Sequence, residues 1–332
     1  MLRVHFTLDD LLRVRVLDEP HPLWETLLSM HMVQTQQGAV VFGEWRRLAR
    51  AALRPSTRAL MALARPQGYS PDFLTPAVES ADLDTALEAL LSTERRVLRA
   101  DIGVLAAERA VPAWMRDVAD GDVPTLSRLA DGIRHYHRTV LAPHWSTIRA
   151  HVRENRARRA ELVVSRGLEH VLHTLHAGAR WDGQVLALPY PVDQDLHLRG
   201  RGLTLVPSFF CWQNPITLAD QDRQPVLVYP VERGLDWVTT TDAGQPRRSR
   251  SLVALLGRTR AAVLLTIAER PHVNTTELAA ALGTSPASAS QHATVLRDAG
   301  LVITRRHHGS ARHTLSDRGA LLLEVPYADR AG

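Results

Sequence analysis

Thr275-Thr-Glu-Leu-Ala-Ala-Ala-Leu-Gly283, followed by Ser285-Pro-Ala-Ser-Ala-Ser-Gln-His-Ala-Thr-Val-Leu-Arg-Asp-Ala-Gly300 and Leu301-Val302, decides how this chain is read. A short helix, a tight turn and a second helix follow one another. Ser285 suits a helix N-cap, and Pro286 suits the first helical position, where its missing N–H costs nothing. Gly300 stands where a left-handed C-cap is expected. On a period of 3.6 residues, Ala289, His292, Ala293 and Leu296 share one face of the second helix, while Ala287, Gln291, Thr294 and Asp298 share the other. Ser288 and Ser290 flank that polar face. Small side chains there let a helix backbone approach base edges, and a glutamine can hold adenine with two hydrogen bonds.

Beyond Gly300, Leu301-Val-Ile-Thr-Arg-Arg306 and Arg312-His-Thr-Leu-Ser316 alternate apolar and polar residues, as strands do. Between them His307-His308-Gly309-Ser310 reads as a turn. The succession predicts a helix-turn-helix with a β-wing, a form that enters a DNA groove. Arg305, Arg306, His308 and Arg312 would meet phosphates or a minor groove. The charge is placed accordingly. From Pro246 onward there are twelve arginines against six acidic residues, whereas the rest has 28 against 29. The positive field therefore accompanies the motif. All forty basic residues are arginine, which reads as genome composition rather than chemistry.

The residues from about Leu252 to Glu324 resemble an ArsR-type winged-helix domain of the arsenic-repressor-like bacterial regulators. Glu277-Leu-Ala-Ala-Ala-Leu-Gly-Thr-Ser-Pro286, Ser290-Gln-His292 and Leu296-Arg-Asp-Ala-Gly-Leu-Val302 carry the likeness, a pattern shared with winged-helix relatives. The resemblance implies a homodimer that binds an operator and represses until a signal relieves it. It also implies dimerisation through the first and last helices, here Leu252–Glu269 and Arg318–Val325. Metal-sensing members carry cysteines on the helix before the recognition helix, or Asp/His pairs on the last helix. The matching stretches, Thr276–Ala281 and Asp317–Glu324, have neither Cys nor His. A soft-metal site needs such ligands, so the resemblance points to a member that senses no metal.

The remainder of the 332 residues suggests further domains. The polar stretch Thr239–Arg250, with Gly and Pro, marks a linker, placed at 241–250. The expected fold class is α+β. It comprises a large, mostly helical N-terminal domain with short strands over 1–240, and a winged helix-turn-helix over 251–326. Val4–Thr7 and Leu12–Val16 read as strands, as do Gln184–Leu188, Leu196–Leu198, Leu203–Val206 and Val226–Tyr229. Leu23–Val33, Glu44–Leu53, Leu83–Leu91, Thr125–Leu141, Trp145–Arg166 and Leu168–His176 read as helices. Leu8-Asp-Asp-Leu-Leu-Arg-Val-Arg15 and Arg201-Gly-Leu-Thr-Leu-Val-Pro-Ser208 make this part resemble the extension ahead of ArsR-type domains in some actinobacterial regulators.

Enzymatic readings find little support. His170 and His173 fall on the solvated face of a helix whose other face is Leu168, Val171, Leu172 and Leu175. His135, His137 and His144 form a second histidine patch that reads as surface. Cys211, the single cysteine, lies in the apolar Pro207–Trp212 stretch, fits a reducing cytoplasm and reads as inert. The run Arg153–Glu161 reads by default as a solvated helix face, the alternatives being contact with flanking phosphates or pairing across a dimer. Trp181, Tyr190, Phe209, Phe210, Trp212, Tyr229 and Trp237 serve as core or dimer interface, or wall a pocket for an organic ligand. No Gly-rich phosphate loop, Gly-x-Ser-x-Gly elbow or His-Glu-x-x-His helix is present. No apolar run reaches the roughly 18 residues of a membrane span.

The sequence thus predicts a cytoplasmic, homodimeric DNA-binding regulator without catalytic residues, metal or cofactor. Thr275, Ser285, Ala287, Ser288, Ser290, Gln291, Thr294, Arg305, Arg306, His308 and Arg312 are its expected DNA contacts. The partners are double-stranded DNA, a second copy and a small organic effector, with no membrane. The alternatives are an enzymatic N-terminal domain fused to a regulatory winged helix, and a winged helix that binds protein rather than DNA.

Overall fold

A computed structural model describes the chain except residues 55, 56, 58, 59, 77–79, 221, 222, 234–236, 238–251, 254, 308, 309 and 325–332. The expected linker and His308 lie outside the described residues. The chain divides into two compact units, 1–36 with 45–232, and 37–44 with 233–332.

In the first unit, Leu2–His5 (β1) buries Leu2 and Val4 and leaves Arg3 and His5 half-exposed, the alternation of a strand with one face inward. Thr7 then caps a helix rather than continuing a strand. Its hydroxyl accepts the Asp10 N–H while the Asp10 carboxylate accepts the Thr7 N–H, closing the box that starts Leu8–Leu12 (α1). The expected strand Leu12–Val16 shrinks to Arg15–Val16 (β2) for this reason. The Asp10 carboxylate also accepts the Gly202 N–H at 2.8 Å, and β2 runs parallel to Thr204–Ser208 (β6). The two segments that carry the N-terminal resemblance are therefore neighbours in space.

Among the described residues, β2, β6 and Val226–Pro230 (β7) form a parallel sheet in the order β2-β6-β7. Every residue of β6 is buried, as expected of a strand covered on both faces. A second sheet has the order β3-β4-β1-β5, with β3 Arg180–Trp181, β4 Val185–Leu188 and β5 Gln194–His197. Leu172, Leu175, Leu186, Leu205, Leu227 and Tyr229 join both sheets in one core.

Pro22–Gln34 (α2) is buried on nearly every side and so runs through the middle of its unit. Its Glu25 is fully buried; the carboxylate accepts the Phe209 and Phe210 N–H groups and the Ser208 hydroxyl, holding the chain as it leaves β6. The next helices are Ala39–Ala52 (α3), Leu83–Leu91 (α4), Arg95–Glu108 (α5), Trp114–Ala119 (α6) and Val123–Tyr136 (α7). Neither α5 nor α6 was expected. The inner stripe of α5 consists of Leu98, Asp101, Ile102 and Leu105, and the acid blurs its period. The expected helix end at Leu141 is instead a π turn, His137–Leu141. Trp145–His173 (α8) breaks at Gly167, the residue between the two expected helices.

In the second unit, the Trp237 indole N–H donates to the Val41 carbonyl at 2.8 Å. Its further elements are Arg258–Glu269 (α9), Val273–Asn274 (β8), Thr275–Leu282 (α10), Pro286–Asp298 (α11), Val302–His307 (β9), Ser310–Leu315 (β10) and Asp317–Glu324 (α12); the expected first helix Leu252–Glu269 is interrupted at Gly257, where φ is 76°. Strand order is β8-β10-β9.

Candidate nucleic-acid interface

Local chemistry sets the angle between α10 and α11. Asn274 and Glu277 cap α10 reciprocally. That helix closes with the Thr284 N–H on the Ala279 carbonyl and the Gly283 N–H on Ala280. Ser285 accepts the Ser288 N–H and so caps α11, with Pro286 in its first turn. At the far end the Gly300 N–H bonds Arg297 and the Leu301 N–H bonds Leu296, with Gly300 at φ 73°. Both ends show the bonding pattern of a Schellman stop. Leu278, Leu282, Ala289, Ala293 and Leu296 are buried together with Val263, Leu264 and Ile267 of α9. The alanines allow close approach of the helices.

This packing leaves Ala287, Ser290 and Gln291 exposed on α11, with Ser288 and Thr294 half-buried beside them. The antiparallel wing pairs Arg312 directly with Arg305, and Ala311 with Arg306. Arg305 and Arg312 therefore lie on one face of the hairpin and Arg306 on the other. All three are exposed.

Residues 256–313 match the model of the MarR family. This segment is a MarR-family winged-helix domain. The match points to a DNA-binding transcriptional regulator. It does not confirm the narrower ArsR-type resemblance, and it does not reach the N-terminal region. No curated protein and no solved structure matches the chain.

Within the MarR-family domain, the expected DNA contacts fall into three groups. Ala287, Ser290, Gln291, Arg305 and Arg306 present their side chains to solvent. Ser285, Thr275 and Arg312 are already engaged: Ser285 caps α11, the Thr275 hydroxyl lies 3.0 Å from His313 Nε2, and Arg312 donates to the His272 carbonyl at 3.2 Å. Ser288 and Thr294 sit at the edge of the exposed face. Two like charges directly opposite across a hairpin are unfavourable unless an anion lies beside them, which makes the Arg305–Arg312 pair suited to a phosphate. The sequence reading passed over His313, which is 3% exposed and also bonds Thr304 through Nδ1 at 3.0 Å. The alternation of β10 carried the signal, since residue 313 shares the inner face with Leu315.

The first unit places the other candidates. His173 is exposed and His170 half-buried beside buried Val171 and Leu172. His135 and His137 are half-buried, and burial holds His137 below the usual histidine range. The Arg153–Glu161 run is exposed except at Asn155 and Arg159: Arg153 bonds Glu19 and Arg158 bonds Glu232 at the surface, while Arg159 lies buried over the Tyr229 ring at 4.8 Å. Phe209, Phe210 and Tyr229 are fully buried core. A cavity of about 20 Å³ is lined by aliphatic side chains, among them Leu23, Leu27, Met30, Leu63 and Ile133. Cys211 is buried. Among the described residues no group of three His, Cys, Asp or Glu is set to hold a metal ion, and no helix is long and apolar enough to cross a membrane.

Proposed function

We propose that the chain is a homodimeric transcriptional repressor of the ArsR-like, non-metal kind, acting in the cytoplasm on a pseudo-palindromic operator. The observation that carries this reading is the exposed Ala287–Ser290–Gln291 surface of α11 beside a wing bearing Arg305, Arg306 and Arg312. Helix α11 lies in the major groove, where Gln291 reads a base edge, and the wing arginines hold phosphates. Two copies meet half-sites about 34 Å apart, one turn of the duplex. The N-terminal unit supports the dimer or responds to an organic effector, and has no catalytic role. An effector works only by binding the DNA-competent and DNA-incompetent forms unequally.

Footprinting on the DNA upstream of the protein's own coding sequence, paired with sedimentation of the complex, tests this reading. The expected result is a two-fold symmetric footprint with two chains per site. One chain on an asymmetric footprint would overturn the dimer, and no footprint would overturn sequence-specific binding.

A further inference from the structure

One buried ring ties the helix-turn-helix to the wing. His313 lies mid-strand in β10, in register with Val273 of β8 and Thr304 of β9. Its Nε2 meets the hydroxyl of Thr275, the first residue of α10, and its Nδ1 meets the hydroxyl of Thr304, each at 3.0 Å. A neutral imidazole has one donor and one acceptor, and a hydroxyl supplies either complement. Both ring nitrogens are therefore satisfied while the ring is uncharged.

A second proton changes this balance. The hydroxyl that donated to the ring must rotate to accept from it instead, and a charge is left in a buried site that offers it no acidic partner among the described residues. Val273 faces the ring from β8, and the buried side chains of α9 are apolar apart from Thr266. Arg297 of α11 acts on the ring with the same sign of charge. Glu277 of α10 has its carboxylate on the Asn274 N–H, at 2.9 Å. Burial, aided by Arg297, thus holds His313 below the usual histidine range.

We propose that neutral His313 is the positioning residue that fixes the start of α10 against the wing, and that specific DNA binding is lost on acidification as this ring takes up a proton. The inference rests on the DNA-binding reading above. No base or phosphate contact is assigned to His313; it acts through Thr275 and Thr304.

The test uses the full-length protein, with affinity for the footprinted site measured at about pH 7.5, 6.5 and 5.5 at constant ionic strength. His313→Gln keeps a donor and an acceptor but cannot be charged. Thr304→Val removes one bond and leaves a ring that titrates. The unmodified protein is expected to lose affinity progressively as the pH falls through this range. His313→Gln is expected to bind with a flat profile, and Thr304→Val to bind more weakly even at neutral pH. A flat profile for the unmodified protein, or the same fall in His313→Gln, overturns the proposal.

Should His313→Gln fail to fold, the ring nitrogens of the unmodified protein are followed by NMR. Protonation of His313 must coincide with the loss of binding and with faster amide exchange at Thr275–Glu277. A ring that titrates as an exposed histidine, near pH 6.5, or without change in those amides, overturns the proposal. If the unmodified protein binds no specific DNA at neutral pH, the DNA-binding reading itself fails. The coincidence of ring protonation with amide exchange then tests the positioning role alone.

Discussion

Gln291 and Arg305 differ in what their truncation removes. Gln291 stands exposed on a face of small residues, so Gln291→Ala is expected to cost about 1–3 kcal/mol on the preferred site and to relax the preference at one base position. Arg305 carries charge without base information, so Arg305→Ala is expected to weaken binding to all sequences and to lower the salt slope by about one. Competition binding with single-base site variants over a salt series separates the two outcomes. Equal losses with unchanged slopes would contradict both assignments. These residues were legible because a polar, small-residue helix face and an arginine-bearing turn are visible in order along the chain. The partners of Thr275 were not legible, because a hydroxyl 38 residues from its histidine leaves no local pattern. The bond from Arg312 to the His272 carbonyl spans 40 residues and is hidden for the same reason.

Gly167 divides α8 with φ 82° and ψ 166°, a conformation close to glycine-only. A methyl group at that position would meet no atom within 4 Å. The cost of Gly167→Ala is therefore backbone strain alone, about 1–3 kcal/mol, expected as a lower denaturant midpoint with an unchanged slope. An effect near zero would mean that the break is not held by the fold. The break itself was readable, since Gly167 separates two amphipathic stretches. Helix α1 was readable in principle from Thr7 and Asp10 at capping-box spacing, but the alternation from Leu12 to Val16 imitated a strand. Helix α5 was hidden because Asp101 occupies its inner face, where its carboxylate accepts the Phe73 N–H at 2.7 Å and the Tyr69 hydroxyl at 2.9 Å. A buried acid is intelligible only once its donors, distant in sequence, are known.

Across the molecule, ionisable groups inside the two units give opposite pH responses. Burial pushes Asp72 up to about 6, reinforced by Asp101 and opposed by its bond from the Asp220 N–H. Between the unfolded value of about 3.9 and about 6, the folded state binds more protons than the unfolded one. Stability from this group is therefore present below that window and is lost as pH rises through it. His313 has a lowered value, so its contribution is present above about 6.5 and is lost as pH falls. Asp72→Asn is expected to flatten the acid-side slope of the first unit's unfolding curve, followed by amide exchange of α5; an unchanged slope would contradict the role of Asp72. At this scale the α+β class and the winged helix were legible from periodicity and turn residues. The grouping of 37–44 with 233–332 was not, because it joins segments far apart along the chain, as the bond from Trp237 to Val41 does. The central claim is specific DNA recognition by the MarR-family domain. Its most direct test is the ratio of affinities for the protein's own upstream DNA and for random DNA, measured over a salt series. The account predicts a ratio of about a thousandfold or more that persists as salt weakens both. Weak binding of equal strength and equal salt dependence on the two DNAs would contradict it.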